Sequence, residues 1–172
     1  MQVVDTKADP ERVRQQAAAI QLLVLDVDGV LTDGSIQLDA DGRECKTFNV
    51  KDGYGIRRVL DAGIEVAIIS GRQSTPVEKR AADLGIRHVH LGIRNKIAVF
   101  HDLLEQLSVT ADAVACVGDD TPDAECMSVA GLAIAVADAH SDLDAVADWR
   151  TTRNGGRGAV REVCDLLLSA RS

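Results

Sequence analysis

Two carboxylates one residue apart, Asp26 and Asp28, directly follow the apolar run Leu22-Leu23-Val24-Leu25 and precede Gly29. In extended chain, residues two apart point to the same side, so both carboxylates can address one ligand. Two like charges that close repel unless a cation offsets them or one of them keeps a proton. Two further apolar runs end in similarly loaded groups. Ile64 to Ile69 runs into Ser70-Gly71-Arg72, and Val114-Ala115-Cys116-Val117 runs into Gly118-Asp119-Asp120-Thr121-Pro122-Asp123. Lys96 follows Asn95 at the start of a helical pattern. The helix macrodipole disfavours a cation there, which hints at an anion beside it. Each group alone has a structural explanation. Strand-end carboxylates cap helices, Ser-Gly is an ordinary turn, Asp123 suits a first helical turn, and surface lysines are common. Together they form an oxygen-rich site. Hard donors of this kind suit Mg²⁺, which takes one or two carboxylates beside a phosphate. The histidines and cysteines show no zinc-type spacing.

The elements that must position these groups follow from the pattern. Continuous apolar runs suit parallel strands covered on both faces. They are expected at about Leu22–Asp26, Ile64–Ile69, His88–Leu91, Val114–Val117 and Leu132–Val136, with a short extended piece near Trp149. Helical patterns alternate with them: Glu11–Ala19 after Asp9-Pro10, Asp52–Ala62 stopped by Gly63, and one opened by Thr75-Pro76 and ended by Gly85. Further helices are expected after Asn95, after Pro122 with Thr121 as cap, in the Asp/Ala-rich stretch beyond Val136, and at Val160–Leu168. A β-hairpin flap is expected at about 34–49, turning at Asp41-Gly42, and a flexible basic loop at Asn154–Gly158. Strands alternating with helices predict a doubly wound, Rossmann-like parallel sheet flanked by helices. In such sheets ligands bind beyond the carboxyl ends of the strands, so the loaded groups can converge on one edge.

The chain has 172 residues, 46% of them apolar, and reads as a single domain over 1–172. With one Trp, one Tyr and two Phe, its core must be mainly aliphatic. The net charge of −8 disfavours nucleic acid as a partner. An anionic substrate would therefore need a local basic pocket or a metal. Cys45, Cys116, Cys126 and Cys164 read as reduced thiols of a cytoplasmic protein. The first twenty residues lack an apolar signal core, and no stretch suits a membrane span.

The four motifs Asp26-Val27-Asp28-Gly29-Val30-Leu31-Thr32, Ser70-Gly71-Arg72, Lys96 and Gly118-Asp119-Asp120 with Asp123 resemble those of the haloacid dehalogenase superfamily. The short hairpin resembles its capless subclass, which implies no large cap domain. The similarity extends from Leu22 to Leu168 towards members that dephosphorylate sugar acids. It includes Lys46-Thr47-Phe48, Lys51-Asp52-Gly53-Tyr54-Gly55-Ile56 and the tail from Gly155 to Glu162.

The resemblance implies Asp26 as nucleophile and Asp28 as general acid and base. It implies Mg²⁺ on the side chains of Asp26 and Asp119 and the main-chain carbonyl of Asp28, with Asp123 and Asp120 in support. Ser70 and Lys96 would hold the phosphoryl oxygens. Gly71 and Arg72 would meet the substrate, Arg72 reading the carboxylate of an eight-carbon sugar acid. Lys51 and Asp52 are further contact candidates. The resemblance also implies a homotetramer assembled through the hairpins, with Arg157 of the glycine-rich tail acting on a neighbouring subunit. Three other readings compete: the same chemistry on a nine-carbon or general phosphate ester, a non-catalytic phosphosugar-binding or oligomerisation module, and a receiver-type signalling domain. The intact Asp26, Asp28, Lys96 and Asp119 set argues against a pure binder, and the early position of the acidic motif argues against a receiver.

Overall fold

The computed structural model describes residues 9–171, so residues 1–8 and 172 of the expected domain lie outside it. At its centre β1 (Leu22–Leu25) is buried on both faces. Leu23 and Leu25 join one core and Leu22 and Val24 the other, as the two-residue period of a strand requires. Fully burying one such aliphatic side chain contributes roughly 1.5–3 kcal/mol, which makes this strand the anchor of both layers.

Around β1 lie β2 (Gln37–Leu38), β3 (Glu44–Cys45), β4 (Glu65–Ile69), β5 (His88–His90), β6 (Val114–Gly118), β7 (Leu132–Ala135) and β8 (Trp149–Arg150). The main sheet has the order β5-β4-β1-β6-β7-β8, with every pair parallel. The strand order reverses at β1, between β4 and β6, and a switch of this kind opens a crevice at the strand ends. The helices are α1 (Pro10–Ala19), α2 (Val50–Asp61), α3 (Thr75–Leu84), α4 (Lys96–Leu107), α5 (Ala124–Val129) and α6 (Ala159–Ser169). Buried residues of α1, α2, α3 and α6 share one core, while α4 and α5 cover the opposite face through Phe100, Leu103, Cys126 and Met127. This is the doubly wound parallel α/β architecture expected from the sequence, with the hairpin in place of a large cap.

Several local expectations change. The hairpin ladder is confined to Gln37–Leu38 against Glu44–Cys45, because the Asp39 carboxylate takes the amides of Asp41 and Arg43 and organises the turn itself. Helix α2 starts at Val50 rather than Asp52, because the Asn49 side chain caps it by accepting from the Lys51 amide. Asp120, not Thr121, caps the turn after β6, and Thr121–Asp123 is a 3₁₀ turn leading into α5. The Asp/Ala-rich stretch forms only a 3₁₀ turn, Ser141–Ala145. Its aspartates are poor helix formers, and Arg150 ties up the preceding carbonyls of Val136, Ala137 and Ala139. The glycine-rich loop is held on several sides. The Gly155 amide donates to Asp138, the Gly156 amide donates to the Val30 carbonyl, and the Gly156 carbonyl accepts from Asn49.

Candidate active site

Beyond Leu25 the chain keeps one more ladder contact, from the Asp26 amide to the Val117 carbonyl at 3.3 Å, and then turns. The Val27 carbonyl accepts the amides of Val30, Leu31 and Thr32. The buried Thr32 hydroxyl lies 3.4 Å from the same carbonyl. β1 pairs Leu25 with Ile68 on β4 and with Val117 on β6, so Asp26, Ser70 and Asp119 leave the sheet at one edge.

There the carboxylates of Asp26, Asp119 and Asp123 come together, each offering an oxygen within 4.8 Å of the others. Lys96 reaches them from the first turn of α4. Its Nζ donates at 2.7 Å to Asp26 and at 2.7 Å to Asp123. Asp123 is engaged through both oxygens, since Oδ2 accepts the Asp119 amide at 3.1 Å. It organises the cluster, and Asp26 and Asp119 keep the more available oxygens.

Two glycines make this convergence sterically possible. A Cβ on Gly29 would lie 2.0 Å from Asp119 Oδ2, and one on Gly118 would lie 2.5 Å from the Asp123 Cβ. Gly29 also has φ +90°, a left-handed conformation that side chains disfavour.

Charge and burial oppose one another in this cluster. Burial, then the charge of Asp123, pushes the Asp26 carboxyl up to about 6 despite the nearby Lys96. Burial, then Asp26 and Asp123, pushes Asp119 up to about 7. Burial alone would lower Lys96, but Asp26 and Asp123 outweigh it and raise the ammonium well above its ordinary value. A surplus of buried carboxylates with oxygen-only donors fits a hard divalent cation. A zinc-type donor set is not present among these residues.

Asp28 points elsewhere. It pairs with Lys46 Nζ, while Arg72 Nε lies 3.8 Å away. Both cations also meet Glu44, Lys46 at 3.2 Å and Arg72 Nη2 at 2.7 Å. Sequence reasoning named neither Glu44 nor Lys46 as a site residue. A signal was available, because residues two apart on the return strand share a face.

Ser70 is buried, its amide donates to the His90 carbonyl, and its Oγ accepts the Arg72 amide at 3.4 Å across Gly71. The other candidates stand apart from the carboxylate cluster. Lys51 is exposed at the start of α2 and lines a groove with Arg153 and Arg161. Asp52 is buried against α6, where Oδ1 accepts the Arg161 amide at 2.8 Å. Asp120 caps its own turn. Arg157 pairs with Asp33 at 2.9 Å, just beyond the first motif.

A parallel α/β fold with paired aspartates, a hydroxyl, a lysine and an acidic cluster on one edge defines a phosphoryl-transfer hydrolase of the aspartate type. A sequence profile described as haloacid dehalogenase-like hydrolase matches residues 92–163. The chain belongs to this haloacid dehalogenase-like hydrolase family. It is 55% identical to the 3-deoxy-D-manno-octulosonate 8-phosphate phosphatase of Escherichia coli, over 92% of this chain and 85% of that protein. The crystal structure of the Yersinia pestis phosphatase of the same name superposes with a TM-score of 0.92 at 49% identity, covering 94% of this chain and 87% of that one. The Moraxella catarrhalis phosphatase, solved with magnesium ion, phosphate ion and KDO, gives a TM-score of 0.92 at 41% identity, covering 94% and 92%.

Proposed function

We propose that this protein hydrolyses 3-deoxy-D-manno-octulosonate 8-phosphate (KDO 8-phosphate) to the free sugar acid and phosphate. The observation that carries the reading is the buried Lys96 bridging Asp26 and Asp123 at 2.7 Å each, with Asp119 in the same carboxylate cluster. The relatives that this chain matches over most of their length, named as 3-deoxy-D-manno-octulosonate 8-phosphate phosphatases, support that substrate.

Asp26 attacks phosphorus and the ester oxygen leaves, giving an aspartyl phosphate. Asp28 gives the leaving alkoxide its proton, then takes one from the water that hydrolyses the acyl phosphate. Lys96 and Ser70 hold the phosphoryl oxygens, and Lys96 keeps Asp26 aimed and ionised. Asp26, Asp119 and the Asp28 main-chain carbonyl, with Asp123 in support, would hold Mg²⁺, which would supply charge neutralisation for the phosphoryl group. Arg72 meets the sugar carboxylate, with Gly71 beside it leaving room, and Lys51 and Arg157 serve the substrate from the subunit boundary, whereas Asp52, buried against α6, holds the Arg161 amide instead.

We read residues 1–172 as one domain acting in the cytoplasm, within lipopolysaccharide sugar supply, and assembled as a homotetramer. The four free thiols fit a reducing compartment. Exposed apolar side chains on and beside the hairpin support assembly: Ile36 at 59%, Leu38 at 63%, Val50 at 77% and Tyr54 at 60% exposure.

The test is phosphate release from KDO 8-phosphate with Mg²⁺ and with chelator. Efficient, metal-dependent release that disappears in Asp26→Asn is the expected result. Turnover of another sugar phosphate in its place would keep the mechanism and discard the substrate.

A further inference from the structure

The hairpin carries a carboxylate, Glu44, that takes no part in the phosphoryl-transfer steps. Glu44 accepts from Arg72 Nη2 at 2.7 Å and from Ser74 Oγ at 2.8 Å, and pairs with Lys46 Nζ at 3.2 Å. Its side chain is 14% exposed although much of the hairpin around it faces solvent. Burial would raise its carboxyl, but the hydrogen bonds from Ser74 and Lys46 and the charges of Lys46 and Arg72 leave it below its ordinary value.

Arg72, unlike Lys46, stays accessible. The Lys46 side chain is 1% exposed, whereas that of Arg72 is 46% exposed and its Nη1 has no partner among the described residues. Arg72 also faces Asp28, yet its Nε stays 3.8 Å away, beyond hydrogen-bond reach. Without a competing carboxylate the guanidinium would settle on Asp28. Glu44, anchored from behind by the buried Ser74, takes one of its nitrogens and leaves the outer edge open.

We propose that Glu44 is a positioning residue that fixes Arg72 in the orientation that receives the substrate carboxylate, making the hairpin part of the acid-selecting apparatus. The inference rests on the substrate reading above. An arginine already fixed in its bound orientation loses less freedom when its partner arrives, so the gain appears in binding of acids.

The experiment compares KDO 8-phosphate with p-nitrophenyl phosphate, which lacks a carboxylate. Wild type, Glu44→Gln, Ser74→Ala, Arg72→Ala and the Glu44→Gln/Arg72→Ala double variant are assayed on both. Glu44→Gln is expected to raise KM for KDO 8-phosphate about tenfold, with a much smaller change in kcat, so that its kcat/KM relative to the carboxylate-free ester falls about tenfold. Ser74→Ala is expected to move KM in the same direction by a smaller factor, and it decides the matter if Glu44→Gln does not fold. In the Arg72→Ala background the effect of Glu44→Gln should vanish, because the two act as one unit. Equal losses on both esters, additive effects of Glu44→Gln and Arg72→Ala, or an unchanged KM would overturn the proposal while leaving the substrate intact. A wild type that turns over p-nitrophenyl phosphate but not KDO 8-phosphate would instead overturn the substrate reading and this inference with it.

Discussion

Lys96 has the environment of a side chain chosen for its charge. At the start of α4 it opposes the helix dipole, and burial opposes its ionisation. Both costs are offset by two carboxylates at 2.7 Å. Removing the ammonium strands Asp26 and Asp123 as buried like charges. Lys96→Met is therefore expected to reduce kcat by at least about 10²-fold, as loss of a fixed charge on a phosphoryl group does. In metal-free protein it should also cost roughly 3–5 kcal/mol in urea unfolding, the scale for breaking a buried pair from one side. Asp123→Asn tests the organising role separately. The amide can still accept from Asp119 N–H, but its hold on Lys96 weakens, so activity should fall further than stability. A matched loss in both would make Asp123 a structural residue only. The sequence hinted at Lys96 through its unfavourable place in the helix. It carried no comparable hint of which carboxylate answers it, since that depends on how β1 and β6 bring Asp26 and Asp123 together across the sheet edge.

At the level of elements, the parallel strands were readable because a strand covered on both faces leaves a continuous apolar run, as Leu22–Leu25 and Val114–Val117 do. Convergence of their ends follows from that topology alone. Elements stabilised by side-chain contacts were less readable. The Asp/Ala-rich stretch has helical spacing, yet Arg150 holds the carbonyls before it and only a 3₁₀ turn forms. Lys46 lies just beyond a strand of two residues, and only the folded hairpin brings it to Asp28. Lys46→Met should accordingly lower kcat/KM by about ten- to a hundredfold, because the buried cation beside the proposed acid–base residue is lost. Its circular dichroism should stay that of the wild type, since the main sheet does not depend on the hairpin. The turn after β1 offers a sharper test. Gly29→Ala places a methyl within 2.0 Å of Asp119 Oδ2 in a left-handed conformation. Either Asp119 is displaced or the turn is, and both spoil the oxygen cluster. Mg²⁺ affinity measured by titration calorimetry should fall by at least about tenfold, while the strain itself costs only roughly 1–3 kcal/mol of stability.

For the molecule as a whole, metal, protons and folding are coupled through the same carboxylates. Asp26 and Asp119 are raised from 3.8 to about 6 and about 7. Between those limits the metal-free folded chain binds more protons than the unfolded chain, so its stability falls as pH rises from about 4 to about 7. Lys96 does not offset this. Its value is raised above 10.5, so its stabilising contribution is fully present throughout that window. Asp52, also raised by burial, adds to the slope but lies outside the cluster. A divalent cation reverses the situation by making the ionised carboxylates the favoured form. Saturating Mg²⁺ should therefore raise Tm more at pH 8 than at pH 5, with each kcal/mol of linkage worth roughly 2–4 °C in a domain of this size. In Asp119→Asn the metal-free protein should lose part of its pH slope and most of its response to Mg²⁺. Asp52→Asn should flatten the slope and keep the metal response. Equal Mg²⁺ shifts at both pH values in wild type, or a metal response that survives Asp119→Asn, would show that the cation binds elsewhere and that the surplus of carboxylates at the sheet edge has another purpose.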